Sequence, residues 1–166
     1  MYSAKFWVEH LGLQPHLEGG FYRQTYVSSE LIAQPHLPPR FDGPRTFSTA
    51  IYFLLEHPDF SAFHRLKSDE VWHFYSGAPL TLWLISPQGT LSSLSLGPDP
   101  SKGHRFQATV PAGCWLAASL DTPGSYALVG CTMAPGFEFA DLELAQRGAL
   151  VQQFPQHRPL IERLTR

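Results

Sequence analysis

Between residues 46 and 133 the chain consists of short apolar segments separated by turn residues. This pattern restricts the possible fold more than any other feature of the sequence. Stretches such as HPD, SPQG and DTPG lie between the segments and have turn chemistry. Eight short strands at this spacing predict an all-β sandwich or barrel rather than alternating β–α units. The segments span residues 46–55, 61–66, 70–75, 80–85, 89–96, 105–110, 114–120 and 126–133.

The N-terminal part adds one more strand and a long loop. Residues 21–27 (FYRQTYV) have strand composition. Residues 28–44 contain four prolines and no sustained period, so they predict a loop. A loop of this length within a compact domain is usually functional or mobile.

Helices are predicted only at the two ends of the chain. Ser3 is placed to cap a short first helix that Gly12 ends. Residues 141–154 and 160–164 have helical patterns near the C-terminus. The whole pattern predicts one domain over residues 1–166, with its β core at about residues 20–137.

Composition excludes several classes of partner. Charged residues make up 16% of the chain, whereas about a quarter of the residues are charged in a typical soluble domain. Part of the surface should therefore be apolar, and a homodimer that buries it is predicted. The net charge is −2 and there is no basic run, which argues against nucleic acid. No apolar stretch reaches membrane-spanning length, and the start lacks signal-peptide features. With Cys114 and Cys131 expected as reduced thiols, a cytoplasmic location is predicted.

The stretch FHRLKSDEVWHFYSG, residues 63–77, carries the main candidates for chemistry. Strand alternation places Glu70 on the same face as Trp72 and Phe74. His64 lies on the preceding strand and can face Glu70 across the turn. Aromatic surroundings would raise the pKa of Glu70 and suit it to proton transfer. His64 and Glu70 are therefore the predicted catalytic pair.

A purely structural role is the alternative for this pair. A histidine in a strand is more often a hydrogen-bonded structural residue than a catalyst, and Glu70 has Arg65 and Lys67 nearby as charge partners. Further polar and aromatic residues are candidates for holding a ligand, since arginine binds anionic groups, tryptophan stacks on rings and glutamine bonds hydroxyls. These ligand-binding candidates are Glu18, Tyr22, Arg23, Arg45, Trp72, His73, Gln107 and Trp115.

Two motifs resemble those of the cupin superfamily. Glu70 and Gly77 have the glutamate-to-glycine spacing of the first cupin motif, and PAGCWL resembles the second motif. The second motif's histidine position holds Leu116, and His64 stands alone where metal-binding cupins have a His-x-His pair. The resemblance implies a jelly-roll β-barrel, and these departures predict a site without a metal or other cofactor.

A narrower resemblance covers nearly the whole chain. EGGFYRQTY, TAIYFLL, VPAGCW and LVGCTMAPGFEFAD, together with residues 63–77, are similar to the small single-domain cupin family of unknown function numbered 985. Members of that family resemble the nucleotide-sugar epimerases among the cupins, in which a histidine is the base without a metal and a tyrosine can be the acid. The implied fold is all-β, a single-domain cupin jelly-roll β-barrel with short N- and C-terminal helices.

The epimerase resemblance supplies a functional hypothesis. It implies a protein that binds a small polar metabolite, a carbohydrate or a nucleotide-sugar, and abstracts a proton from it with His64. Glu70 would assist, Tyr22 or Tyr52 would be the acid, and an arginine at position 23 or 45 would hold an anionic group. The alternatives are a metal-dependent cupin enzyme using His64, Glu70 and His73, and a ligand-binding or sensor module without catalysis.

Overall fold

Antiparallel strands make up most of the computed structural model, which describes residues 2–166. The prediction of a mainly β chain with short terminal helices is confirmed. The helices are α1 (Ala4–Leu11), α2 (Arg147–Gln153) and α3 (Arg158–Arg163). The strands are β1 (Gln14–Pro15), β2 (Phe21–Val27), β3 (Leu31–Ile32), β4 (Arg45–Thr46), β5 (Thr49–Glu56), β6 (Ser61–Leu66), β7 (Glu70–Gly77), β8 (Leu80–Ile85), β9 (Leu91–Leu96), β10 (Gln107–Val110), β11 (Trp115–Ser119), β12 (Tyr126–Met133) and β13 (Leu142–Leu144).

Two large sheets face each other across an apolar core. The six-stranded sheet has the order β1-β2-β5-β12-β7-β10, and the five-stranded sheet has the order β13-β6-β11-β8-β9. Inward residues alternate with outward ones along the strands, so that Phe53, Trp72 and Leu82 are fully buried between the sheets. Hydrogen bonds join these strands into two separate sheets rather than into one closed barrel.

Helices cover part of the outer face of each sheet. Helix α1 packs near Leu54 and Leu128 of the six-stranded sheet. Its start is capped as predicted, because the Ser3 hydroxyl accepts a hydrogen bond from the backbone N–H of Phe6 at 3.2 Å. Helices α2 and α3 cover Phe63 and other residues of the five-stranded sheet. Within residues 2–166, no helix has the length and apolar character needed to cross a membrane.

The prediction of a helix over residues 141–154 is wrong in its first half. Residues 139–141 form a 3-10 turn and β13 follows, so α2 begins only at Arg147. Strand β13 pairs with β6, whose other edge pairs with β11. An exposed strand edge gains hydrogen bonds from such pairing, and this long-range gain outweighs the local helical pattern. The predicted loop 28–44 likewise contains β3, which pairs with β4.

Gly77 ends β7 at a point where the backbone of β12 comes very close. Its φ angle is +102°, in the region that favours glycine. A Cβ atom there would collide with the carbonyl oxygen of Tyr126. The glycine of the first cupin-like motif is therefore required by the way β7 and β12 pack.

Candidate functional site

A cavity of about 170 Å³ lies among residues of both sheets. One part of its wall is apolar and aromatic, and another part is polar. Strands β2, β5, β7 and β12 contribute from the six-stranded sheet, and β6 and β13 contribute from the five-stranded sheet. The apolar wall includes Ile51, Phe53, Leu66, Met133, Phe137 and Phe139, and the polar part includes His16, Glu18, Tyr22, Gln24, His64 and Glu70.

Glu18 lies at the centre of the polar cluster. Its Oε2 atom is 3.3 Å from Nε2 of His64 and 3.5 Å from Nδ1 of His16. Its Oε1 atom accepts a hydrogen bond of 2.9 Å from the hydroxyl of Ser61. All three ionisable side chains are less than one-tenth exposed. A single carboxyl group therefore contacts two imidazole rings inside the fold.

The hydrogen bonds around the two rings determine where the protons lie. Nδ1 of His64 is 2.8 Å from the carbonyl oxygen of Ala62, which can only accept, so Nδ1 carries a proton and neutral His64 has a free lone pair on Nε2. Nδ1 of His16 uses its one ring lone pair to accept the backbone N–H of Glu18 at 3.4 Å. The lone pair on Nε2 of His64 lies near Oε2 of Glu18, and this contact is favourable when the two groups share one proton.

Burial decides which of the two holds that proton. Loss of water around Glu18 raises its pKa, an effect that His16 and the Ser61 hydroxyl oppose. Burial likewise lowers the pKa of His64, against the attraction of Glu70 and the bond to Ala62. Burial also lowers the pKa of His16, with Glu18 acting in the opposite direction. Both shifts favour the uncharged form of the pair, in which the proton lies on Glu18 and His64 is neutral.

Glu70 has a different environment in the same cavity. The indole N–H of Trp72 donates to its Oε2 atom at 2.7 Å, and the thiol of Cys131 also donates to the carboxylate. Burial raises the pKa of Glu70 to about 7, with Glu18 adding to the increase and His64 opposing it. Both hydrogen bonds favour the ionised form. Glu70 is thus a carboxylate poised to exchange a proton near neutral pH.

A glycine turn brings His16 and Glu18 into the cavity. The backbone N–H of His16 donates to the Gly20 carbonyl at 3.0 Å, and the N–H of Gly19 donates back to the His16 carbonyl at 3.2 Å. Gly20 has a φ of +70°, and a Cβ there would lie 2.7 Å from the Leu54 carbonyl oxygen. This tight turn between β1 and β2 directs both side chains inward.

The structure brings four predicted site residues together at the cavity. His64, Glu70, Glu18 and Tyr22 all line it. Trp72 lies in the core next to Glu70 and bonds its carboxylate. The predicted sharing of one strand face by Glu70 and Trp72 is therefore present, because residues two apart in a strand point to the same side.

The two predicted arginines lie outside the cavity wall. Arg23 follows Tyr22 on β2 and so points to the opposite face, where it donates to the Leu11 carbonyl at 2.9 Å. Arg45 is buried and makes two hydrogen bonds to Asp141, of 2.7 Å and 2.6 Å. Neither guanidinium is placed to hold an anionic group of a ligand in the cavity.

Four other candidates also lie away from the cavity. His73 alternates with Trp72 and faces outward, where its ring bonds Thr132 and the amide of Gln107. Trp115 belongs to the cluster under α2 and α3. Tyr52 stands edge-on to Tyr75 at a centroid distance of 5.9 Å. In each case, strand alternation or the helix layer directs the side chain to the outer side of its sheet.

Sequence reasoning missed His16 and Cys131. His16 precedes Glu18 by two residues in a glycine turn, and this spacing was the available signal for it. Cys131 pairs with Trp72 across β12 and β7, but nothing in the sequence shows that these two strands are neighbours. His16 reaches the site through this local turn, whereas Cys131 reaches it through the pairing of two strands that are distant in the chain.

The donor set does not fit a metal ion. Among residues 2–166, no group of three or more His, Cys, Asp and Glu side chains is arranged to hold one. Leu116, at the motif position that holds a histidine in metal-binding cupins, is the direct cross-strand partner of His64 and offers no ligand atom. The free nitrogen of His64 is directed at Glu18 instead.

The packed sheets and the polar cavity between them define a small β fold of the cupin type. Residues 5–145 match the family model described as Cupin superfamily (DUF985). This chain belongs to that family, and the resemblance inferred from its sequence is confirmed.

Two solved structures are similar over the full length. Protein SO0799 from Shewanella oneidensis is 39% identical, with a TM-score of 0.89, and the match covers 100% of this chain and 99% of that one. A hypothetical protein from Leishmania major is 31% identical, with a TM-score of 0.89 and 99% of each chain covered.

A more distant likeness concerns the fold alone. Oxalate decarboxylase from Bacillus subtilis is 13% identical with a TM-score of 0.55, and 90% of this chain matches 36% of that one. No curated protein matches this chain in sequence.

Proposed function

We propose that this protein binds a carbohydrate or similar small polar metabolite within a cupin jelly roll and moves a proton on it, as an epimerase or isomerase does. The observation that carries the proposal is the pairing, in one buried cavity, of a protonated Glu18 with a Glu70 whose pKa is about 7. Two carboxyl groups held in different protonation states are the arrangement expected of an acid and a base.

The proton balance of such a reaction uses both carboxyl groups. The Glu70 carboxylate accepts a proton from a carbon next to the substrate's carbonyl, and the C–H electron pair becomes the C=C bond of an enediol. The carbonyl oxygen takes the proton of Glu18, which His64 orients through Nε2. Return of the proton from Glu70 to carbon, while an enediol hydroxyl gives its proton back to Glu18 as the carbonyl re-forms, completes the reaction and restores both groups. A base with a pKa near the working pH is effective in this role.

These roles differ from those inferred from the motif alone. The resemblance to the epimerases implies that His64 is the base, whereas its contact with Glu18 suits His64 to orienting the acid. Tyr22 remains at the cavity as a ligand-binding residue.

The size and lining of the cavity indicate the ligand class. A volume of about 170 Å³ is below the roughly 300–1,000 Å³ of sites for drug-sized ligands. It suits one sugar ring, and the nucleotide of a nucleotide-sugar would have to lie outside it. Aromatic rings such as Phe137 and Phe139 offer stacking surfaces of the kind that bind sugars. Oxalate, the substrate named for the distant decarboxylase, is an anion that two carboxyl groups would disfavour.

Hydrogen exchange at carbon tests the proposal. Aldoses and ketoses are incubated with the protein in D₂O, and loss of the signal of the hydrogen beside the carbonyl is followed by NMR. We expect exchange with the wild type, and at least a hundredfold slower exchange with Glu70→Gln or Glu18→Gln. Glu56→Gln, an exposed change at the end of β5, should have no effect. Binding without exchange would favour the sensor alternative, and equal exchange in every variant would exclude this site.

A pair of His64 variants separates orientation from folding. Asparagine retains a donor for the Ala62 carbonyl but lacks an atom near Nε2, whereas glutamine can place its amide oxygen near Nε2, where it accepts a hydrogen bond from protonated Glu18. We expect exchange to be lost in His64→Asn and partly retained in His64→Gln. The opposite order, or large loss of thermal stability in both, would assign the histidine to structure.

A further inference from the structure

We infer that the cavity selects an uncharged polyhydroxy ligand and rejects carboxylates and phosphates. This inference rests on the proposed function and narrows its ligand class. Three features support it. The wall carries negative charge, the candidate cation Arg45 already has partners, and neutral polar groups of the wall are free to bind a ligand.

The described wall of the cavity contains two carboxyl groups and neither lysine nor arginine. Glu70 is buried, so the field of its carboxylate is weakly screened by water. A ligand carboxylate entering here would lose its hydration and would approach Glu70 without a compensating cation. Unpaired charge of this kind is an effective means of rejecting a wrong ligand.

Arg45, which lies outside the cavity wall, is already paired with carboxylates. The guanidinium of Arg45 bonds Asp141 through two nitrogens and also bonds Asp42 at 2.8 Å. The two cavity histidines are neutral, because one presents its Nδ1 lone pair to the Glu18 N–H and the other shares the Glu18 proton. A bound anion would therefore have no free positive charge to pair with among these groups.

Neutral hydrogen-bonding groups remain available for a ligand. The side chains of Gln14, Tyr22 and Gln24 line the cavity and make no hydrogen bonds to other residues within the described part of the chain. Amide and phenol groups both donate and accept, which matches hydroxyl groups. A cationic ligand group should bind less tightly than a neutral hydroxyl group, because Glu18 is protonated and Glu70 already accepts hydrogen bonds from Trp72 and Cys131.

A set of sugars that share one ring tests the inference directly. The probes are D-glucose, D-glucuronate and D-glucosamine, with D-galactose, D-galacturonate and D-galactosamine as a second set. Dissociation constants are measured at pH 7 by ligand-observed NMR. We expect one neutral sugar to bind at least about tenfold more tightly than its uronate and its amine, a difference readily resolved by this method. Equal or tighter binding of a uronate or an amine would overturn the inference.

Two variants assign the selectivity to this cavity. Glu70→Gln removes the nearest carboxylate, so the preference for the neutral sugar over the uronate should fall several-fold. Glu56→Gln removes an exposed carboxylate outside the wall and should leave the preference unchanged. An unchanged preference in Glu70→Gln would overturn the electrostatic explanation.

A blocking variant distinguishes failure of the inference from failure of the proposed function. Gln24→Trp places a bulky ring at an exposed part of the cavity wall, and Gln152→Trp makes the same change on the exposed face of α2. Sugar binding should be lost only in Gln24→Trp. Binding that persists there would remove the cavity site and the proposed function with it. If no probe binds, carbohydrates are excluded as the ligand class in both proposals. A uronate preference that is lost on blocking would leave the site and refute only the inference.

Discussion

At the scale of single residues, the carboxyl of Glu70 combines nearly complete burial with two hydrogen-bond donors. Its pKa of about 7 in the folded protein lies above the usual 4.5 because burial disfavours the charge. Between these values the unfolded chain releases the proton and the folded chain keeps it. Stability contributed by protonated Glu70 is therefore present below pH 4.5 and is lost as the pH rises through 7.

Replacing Glu70 with glutamine should remove this dependence. The free energy of unfolding of Glu70→Gln should rise relative to the wild type as the pH goes from 4.5 to above 7, by up to about 3 kcal/mol. Urea denaturation at several pH values measures the difference. The exposed variant Glu56→Gln should run parallel to the wild type, and a parallel profile for Glu70→Gln as well would contradict the raised pKa.

The arrangement of donors at His64 leads to a second prediction. Purified protein should contain far less than one equivalent of transition metal, because the free nitrogen of His64 contacts Glu18 and Leu116 supplies no ligand. Elemental analysis after purification without chelators measures this. A full equivalent of metal that is lost in His64→Ala would restore the metal-dependent alternative.

At the scale of elements, the segment from the end of β12 to β13 closes one side of the cavity. Phe137, Phe139 and Leu142 of this segment line the cavity. Asp141, in the same segment, is buried and bonds Arg45 in a bidentate pair, with Lys67 3.3 Å away. The ion pair thus anchors the segment to β4, although its two residues are far apart in sequence.

Breaking the buried Arg45–Asp141 pair should lower the free energy of unfolding much more than breaking the exposed Arg45–Asp42 pair. Asp141→Asn should lower the free energy of unfolding by about 3 kcal/mol, because it leaves the Arg45 charge buried without its main partner. Asp42→Asn removes a largely exposed partner of the same arginine and should have a much smaller effect. Chemical denaturation of both variants measures the difference. Equal losses would mean that the buried contact is not the stabilising one.

Gly77 and Gly113 allow a similar comparison between two turns. Both have positive φ, of 102° and 80°, so alanine is strained at either position. Only at Gly77 would the new Cβ collide with the backbone of β12, whereas the space around Gly113 is open. Gly113→Ala should destabilise the protein by about 1 kcal/mol and Gly77→Ala by clearly more. Similar melting temperatures for both variants would argue against tight packing at the end of β7.

At the scale of the whole molecule, several large apolar side chains are exposed in one region. Val27, Leu31 and Phe47 lie close together, where the end of β2 meets the β3–β4 pair, and each is about half exposed. Apolar surface of this kind is typical of a protein interface. The predicted homodimer would bury it.

Sedimentation at micromolar concentration tests this prediction. The wild type should sediment as a dimer, and Leu31→Glu combined with Phe47→Glu should convert it to a monomer. Phe106→Glu changes an exposed apolar residue elsewhere in the chain and should leave the dimer intact. A monomeric wild type would refute the homodimer, and a dimeric double variant would place the interface on another surface.

Local patterns in the sequence were sufficient for most of the elements, although not for β3 and β13, and for part of the site. Period-two alternation located β7 and placed Glu70 beside Trp72, because side-chain direction in a strand depends only on neighbouring residues. The Ser3 cap of α1 and the family motifs around Gly77 are local in the same sense. The mainly β architecture follows from such patterns summed along the chain.

Only the tertiary structure decided which of these elements meet. Glu18 contacts His64, which lies 46 positions further along the chain, and Arg45 reaches Asp141, which lies 96 positions further. Alternation shows that a strand has two faces, but it does not show which face is inward or which strands are neighbours. The order β1-β2-β5-β12-β7-β10 is not the order of the chain, so long-range pairing brought Cys131 to the cavity. The packing of one sheet on the other decided which strand faces are inward, and it left Arg23, His73 and Trp115 outside the cavity.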